Sequence, residues 1–240
     1  MLLSLIIPDS VLTIGDKAFY GNELTSIVIP ASVTTVGSEA FKSNELTSVT
    51  IEEGLTTIEY AAFSGNQLTS IVLPDSIVTI GENVFAGNEL KNVFIPASVQ
   101  YIGEGAFGNN LFERYEVSEN NQYYKSVDGV LLSKDGTILI SYPQHKEGDS
   151  YTIPEGVITI GRYAAYGNQL TAVIIPDSVI SIGEEAFESC GLALIQIPES
   201  VESIGQNAFL GNPLSVIIIE GDASRFDDDW VYIGFPIIPA

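Results

Sequence analysis

Leu68 to Glu89 reads LTSIVLPDSIVTIGENVFAGNE, and close copies of it run along most of the 240-residue chain. The copies align on their punctuation. Proline stands at Pro8, Pro30, Pro74, Pro96, Pro154, Pro176 and Pro198, and glycine at Gly15, Gly37, Gly81, Gly103, Gly161, Gly183 and Gly205. Four residues behind the glycines come Phe19, Phe41, Phe63, Phe85, Phe107, Phe187 and Phe209. The step is 22 residues, apart from one longer unit. A fixed period of this length marks a solenoid, in which each repeat is one turn stacked on the next.

Each copy divides into three sides. The first, Leu68-x-x-Ile71-x-Leu73, alternates like a strand and sends Ile71 and Leu73 inward, with Ser70 and Val72 outward. Pro74 ends it, having no N–H for a ladder. The second side, Ile77-x-x-Ile80, is a shorter extended piece closed by Gly81. The third, Asn83-Val84-Phe85, reads as one helical or 3₁₀ turn with Phe85 as an inward plug. A single turn cannot stand alone. About seven inward apolar side chains contribute roughly 1.5–3 kcal/mol each, against an ordering cost of about 1–2 kcal/mol for every residue fixed. Only stacking, with hydrogen bonds and burial between coils, supplies the difference.

The joint pattern L-x-x-I-x-I-P-x-x-V-x-x-I-G-x-x-A-F resembles the BspA-like class of bacterial leucine-rich repeats, found on surface and secreted proteins. That family usually carries Cys three residues after the Phe. Here Asn22, Asn44, Asn66, Asn88, Asn110, Asn168 and Asn212 occupy the column, and only Cys190 keeps the thiol. An interior Asn can hydrogen-bond the turn backbone, so a stacked Asn file would satisfy the turns in series. The expected fold is a mostly-β leucine-rich-repeat solenoid. It is a right-handed stack of about ten 22-residue coils with one parallel sheet, a hairpin insert in one coil and a C-terminal cap. Residues 1–219 form the array, and 220–240 a cap or linker.

Two coils depart from the template. Ile51-Glu52-Glu53-Gly54 lacks the proline, and Glu59 sits in its glycine slot, so this unit reads as a coil that matches the template more loosely. The unit from 112 to 147 is longer. Its runs 129–133 and 137–142 flank Lys134-Asp135-Gly136 and read as a β-hairpin, and Asn120 to Leu131 has the wording of inserts in BspA-like proteins. Downstream, Ala165 replaces the Phe plug, so Tyr142, Tyr163 or Tyr166 is expected to fill that volume. The closing stretch, with Asp227-Asp228-Asp229-Trp230 and Phe235-Pro236, reads as a cap over the last coil or a linker. The opening Met1-Leu2-Leu3-Ser4-Leu5-Ile6-Ile7 fits the strand template in register and lacks the basic n-region and cleavage site of a signal peptide. It reads as the first strand of a stretch cut inside a longer array.

Composition narrows function. A formal charge of −22 argues against nucleic acid and anionic membrane surfaces, which need Lys and Arg. No apolar run is long enough for a membrane-spanning helix, and one cysteine permits no internal disulfide. Cys190 lies in the interior column and His145 in the insert, so neither reads as half of a nucleophile–base pair. Asp16, Glu82, Glu104 and Glu184 repeat one turn position and read as a solubilising edge, with weak divalent-cation binding as the alternative. No cofactor or metal is expected.

The outward third and fifth positions of the first side are mostly small or β-branched. The exception lies at Asn92, Phe94, Arg114 and Glu116, flanked by Lys91 and Glu113. Aromatic and arginine side chains on a plain sheet have the composition of a binding hot spot; the competing explanation is drift of the coils that border the insert. The resemblance implies a non-enzymatic adhesion module that recognises a host or other extracellular protein. Two alternatives stay open. One is a self-associating array using the Ile6, Val28 and Val72 stripe, so that the chain is a monomer or weak homodimer. The other is a carbohydrate-active β-solenoid using Glu113 and Glu116, whose parity would put them on opposite sides of the strand.

Overall fold

The computed structural model describes residues 1–222, Ser224 and Phe226, together with the backbone of 237–239. The chain forms two compact units, Met1–Ser126 and Val127–Ala240. Both are stacks of short parallel strands and turns, and no helix occurs among the described residues.

The continuous ladder lies on the second side. In the N-terminal unit Thr13–Ile14, Thr35–Val36, Thr57–Ile58, Thr79–Ile80 and Tyr101–Ile102 form one five-stranded parallel sheet. Each pairs with the residue 22 positions on, as in Ile58↔Ile80. Two residues per coil suffice because inter-coil hydrogen bonds, such as Gly81 N–H to Ile58 O at 2.8 Å, continue past the strand ends. Tyr124 finishes this ladder: its hydroxyl accepts from Ile102 N–H at 2.8 Å and lies 3.3 Å from Gln100 O, which accepts its proton. Burial pushes the Tyr124 phenol pKa up, keeping the donor proton in place.

The first side was expected to carry one parallel sheet through all coils, and it does not. In the N-terminal unit Ser26–Ile29 pairs with Ser48–Ile51, and Asn92–Ile95 with Arg114–Val117. Residues 70–73 between them stay extended without being part of a strand, although Ile71 and Leu73 are still buried. The break follows the irregular third coil. Gly54 adopts φ +137° there, and side chains replace backbone at the corner. Glu52 accepts from Ala31 N–H at 3.1 Å, and Glu53 from the amides of Asp75 and Ser76 at 3.2 and 3.1 Å.

The third side corrects a second expectation. Instead of one helical turn it holds two successive β-turns, closed by Ala18 N–H to Gly15 O and Tyr20 N–H to Lys17 O in the first coil. The amides between them cross to the next coil, as Phe41 N–H does to Ala62 O at 2.8 Å. The third residue of the first turn takes positive φ in every regular coil, including Lys17, Glu39, Tyr163 and Glu185 at 53–58°. A type II turn requires positive φ at that position.

The core is a file of plugs. Phe19, Phe41, Phe63, Phe85 and Phe107 stack with centroids 5.2–5.9 Å apart, and Phe112 and Tyr115 close the file at Phe107. Such pairs add about 0.5–1.5 kcal/mol each beyond the area they bury.

In the C-terminal unit Ile138–Ser141, Thr159–Ile160, Ser181–Ile182 and Ser203–Ile204 form the second-side ladder. The expected hairpin is present: Val130–Ser133 runs antiparallel to Ile138–Ser141, with a bulge at Leu131/Leu132. Asp135 ties its turn by accepting from Thr137 N–H and from the hydroxyls of Ser133 and Thr137. The second hairpin strand then joins the parallel ladder through Ile138↔Thr159. Beside Ala165, Tyr142 is the tyrosine taken into the core cluster. Its ring lies 4.7 Å from that of Tyr151, while Tyr163 and Tyr166 pair edge-on and only half-buried. Phe187 and Phe209 resume the Phe stack. On the first side Ser150–Thr152 pairs with Ala172–Ile174, and Leu194–Ile197 with Val216–Ile219. The edge of Val216–Ile219 takes Ile237–Pro239 as a further parallel strand. Asp227 to Trp230 and Phe235-Pro236 lie outside the described residues.

Candidate functional site

The asparagine column performs the structural role its spacing implies. Asn44, Asn66, Asn88, Asn110 and Asn168 are buried. The Asn66 carbonyl oxygen accepts from Leu46 N–H of the preceding coil at 3.0 Å. Its amide donates to Phe41 O of that coil and to Phe63 O of its own, each at 3.0 Å. Cys190 interrupts the file. A thiol donates weakly and accepts poorly, and its Sγ lies 3.1 Å from Ala165 O. Leu170 N–H, which an Asn at 190 would receive by the same rule, turns instead to Asn168 Oδ1 at 2.7 Å.

Burial pushes the Cys190 thiol up to about 12. It therefore stays protonated through the neutral and mildly alkaline range, and the reactive thiolate is a negligible fraction. Folded protein at pH 8 should resist iodoacetamide, whereas unfolding in denaturant should expose one fully reactive thiol, read by mass spectrometry. Rapid labelling of the native chain would contradict this burial. His145 is exposed, whereas the thiol is buried.

Of the acidic turn column, Asp16, Glu82 and Glu104 are exposed. Asp16 accepts from Ser38 N–H at 2.9 Å, and Glu184 forms an ion pair with Arg162 at 2.9 Å. No group of three or more His, Cys, Asp or Glu side chains is placed to hold a metal among the described residues.

The six residues singled out on the first side come together in the N-terminal unit. The register sets Asn92 beside Arg114 and Phe94 beside Glu116. All six are exposed, with Phe94 at 52%. The structure adds an ion pair within one strand, Arg114 Nε to Glu116 Oε1 at 2.7 Å. The alternation expected to separate Glu113 from Glu116 does not apply at Glu113. The strand begins at Arg114, so alternation does not reach Glu113, and both carboxylates are exposed. Lys91 and Glu113 share a coil edge, where Glu113 N–H donates to Lys91 O at 2.9 Å. Below the patch the outward positions carry Val72 at 79% exposure, Val28 at 49% and Ile6 at 89%.

A mostly-β solenoid with Leu, Pro, Gly and Phe files and a plain outer sheet face defines a bacterial leucine-rich repeat. The BspA type leucine-rich repeat region matches residues 2–125 and 144–231 in six copies. The chain belongs to that family. A leucine-rich repeat protein from Eubacterium ventriosum ATCC 27560 superposes with a TM-score of 0.81 at 28% identity, covering 95% of this chain and 70% of that one. The pneumococcal vaccine antigen PcpA gives a TM-score of 0.63 at 23% identity, over 87% of this chain and 67% of its own. A leucine rich cell surface protein from Faecalibacterium prausnitzii A2-165 gives 0.54 at 22% identity, over 88% and 77%. The last two likenesses concern the fold. No curated protein matches the sequence. Among the described residues no helix is long and apolar enough to cross a membrane.

Proposed function

We propose that the chain is a non-enzymatic binding and adhesion module of a bacterial cell-surface or secreted protein, which recognises a host or other extracellular protein through the first-side face. The observation that carries this reading is the exposed Phe94 set in register beside the Arg114–Glu116 pair, next to four coils whose outward first-side positions hold only Ser, Thr and aliphatic side chains. A desolvatable aromatic with an adjacent, already oriented guanidinium has the composition of a hot spot. The pre-formed ion pair lowers the entropy lost when a partner orders Arg114. Family membership supports the reading, and the Faecalibacterium relative, a leucine rich cell surface protein, prompts the location.

The test is a panel of extracellular proteins screened against the chain, followed by the double variant Phe94→Ala/Arg114→Ala on any partner found. Loss of two hot-spot side chains should weaken binding about 30-fold or more, with circular dichroism and melting unchanged. Binding that survives the double variant would dismiss the patch. Glycan turnover abolished by Glu116→Gln would instead favour an enzyme.

A further inference from the structure

We infer that the first-side face of the N-terminal unit docks a cationic partner segment bearing an apolar ridge; this rests on the binding reading above and adds the partner's chemistry. The face is neutral along its middle. From the first coil to the fourth, its outward third and fifth positions hold only Ser, Thr and aliphatic residues. Ile6, Val28, Val72 and Phe94 raise a broken apolar line along it, each half-exposed or more.

Both borders of that strip are acidic. Along the edge that precedes the first side stand Glu45 and Glu89, exposed, and the half-buried Glu23. Along the edge that follows it stand Asp9, Glu52, Glu53 and Asp75, all exposed. Two of these are fixed in place, since Glu52 and Glu53 accept from backbone amides of neighbouring coils. At the end of the strip Arg114 is matched to Glu116, and the exposed Lys91 shares its coil edge with the exposed Glu113, so the charges there balance.

An apolar centre depleted of charge and enclosed by a polar rim has the anatomy of a protein interface. The sign of the rim selects the partner. Carboxylates on both borders repel any acidic surface and steer a basic one inward. A second copy of this chain, itself at −22, would bring carboxylates against carboxylates. Lysine or arginine flanks astride an aliphatic or aromatic ridge satisfy the strip and both rims together.

The probe is a labelled synthetic peptide alternating lysine with valine and phenylalanine, titrated into the full chain by fluorescence anisotropy. Two controls accompany it: a twin with glutamate for lysine, and a lysine peptide whose ridge is serine. Only the cationic ridge peptide should bind, and its affinity should fall along an ionic-strength series. Neutralising one rim with Glu23→Gln/Glu45→Gln/Glu89→Gln should weaken it about tenfold, and Val72→Asp should abolish it, with circular dichroism confirming both folds. Equal binding of the serine-ridge control reduces the effect to bulk charge and overturns the inference, as does equal binding of the glutamate twin. A concentration-dependent dimer in light scattering, broken by Val72→Asp, also overturns it by assigning the face to a second copy. A panel protein that needs Phe94 and Arg114 yet ignores the rim charges would leave the binding reading standing and remove only this inference.

Discussion

Asn66→Leu should destabilise the N-terminal unit by about 3 kcal/mol, a fall in melting temperature on the order of 10 °C. The substitution nearly keeps side-chain volume and removes the polar ladder. Leu46 N–H, buried and served by Asn66 Oδ1 alone, is then orphaned. Phe41 O and Phe63 O each lose one of two donors, because Asn44 and Asn88 still reach them. An orphaned buried amide costs about 1–3 kcal/mol, and the two weakened carbonyls supply the rest. The exposed neighbour Gln67→Ala should stay within about 0.5 kcal/mol of the parent. A melt for Asn66→Leu that matches Gln67→Ala would mean that water, and not the asparagine file, satisfies these turns.

Gly54→Ala should cost a comparable amount, about 3 kcal/mol, from two sources that act together. Gly54 holds φ +137°, a conformation side chains rarely adopt. A Cβ there would also lie 2.0 Å from the carbonyl oxygen of Ala31 in the preceding coil. That oxygen belongs to backbone and cannot swing away as a flexible side chain could. Gly15→Ala is the matched control: nothing lies within 4 Å of its added Cβ, and its φ is not positive. Chemical denaturation of the two variants should separate them clearly, with Gly15→Ala unchanged or slightly stabilised. Equal stability would show that the third-coil corner relaxes freely.

Much of the stack was legible because its signals repeat. Proline, glycine and phenylalanine files set the register, and the buried asparagines followed from their spacing behind the plugs. The hairpin could be read from Lys134-Asp135-Gly136 because an Asp-Gly pair between β-rich runs has few other uses. The third side misled. Lys17, Glu39, Tyr163 and Glu185 sit at positive φ where residue type suggests no such turn, and only Asn83, Asn207 and Gly105 in that column hint at it.

The continuity of the second-side ladder was not legible, although the first side does hold parallel pairs. A two-residue pair such as Thr79–Ile80 is too short to stand out, whereas Ser70–Leu73 looks like a strand and is none. At the irregular third coil two carboxylates sit on backbone amides of neighbouring coils, a contact that composition does not reveal. The candidate patch was legible as outward-facing residues of unusual type. The Arg114–Glu116 pair was not, nor was the exposure of Glu113, because alternation says nothing about a residue just outside the strand.

The register that assembles the patch can be measured by disulfide trapping in a Cys190→Ser background. Asn92→Cys paired with Arg114→Cys places thiols on directly paired residues of parallel strands, about 4.8 Å apart at Cα and within disulfide reach. Asn92→Cys paired with Glu116→Cys places them diagonally, roughly 8 Å apart, beyond it. Mild oxidation should bridge the first pair rapidly and leave the second largely reduced. Preferential bridging of the 92/116 pair, or of neither, would contradict the 22-residue register on which both the stack and the candidate patch depend.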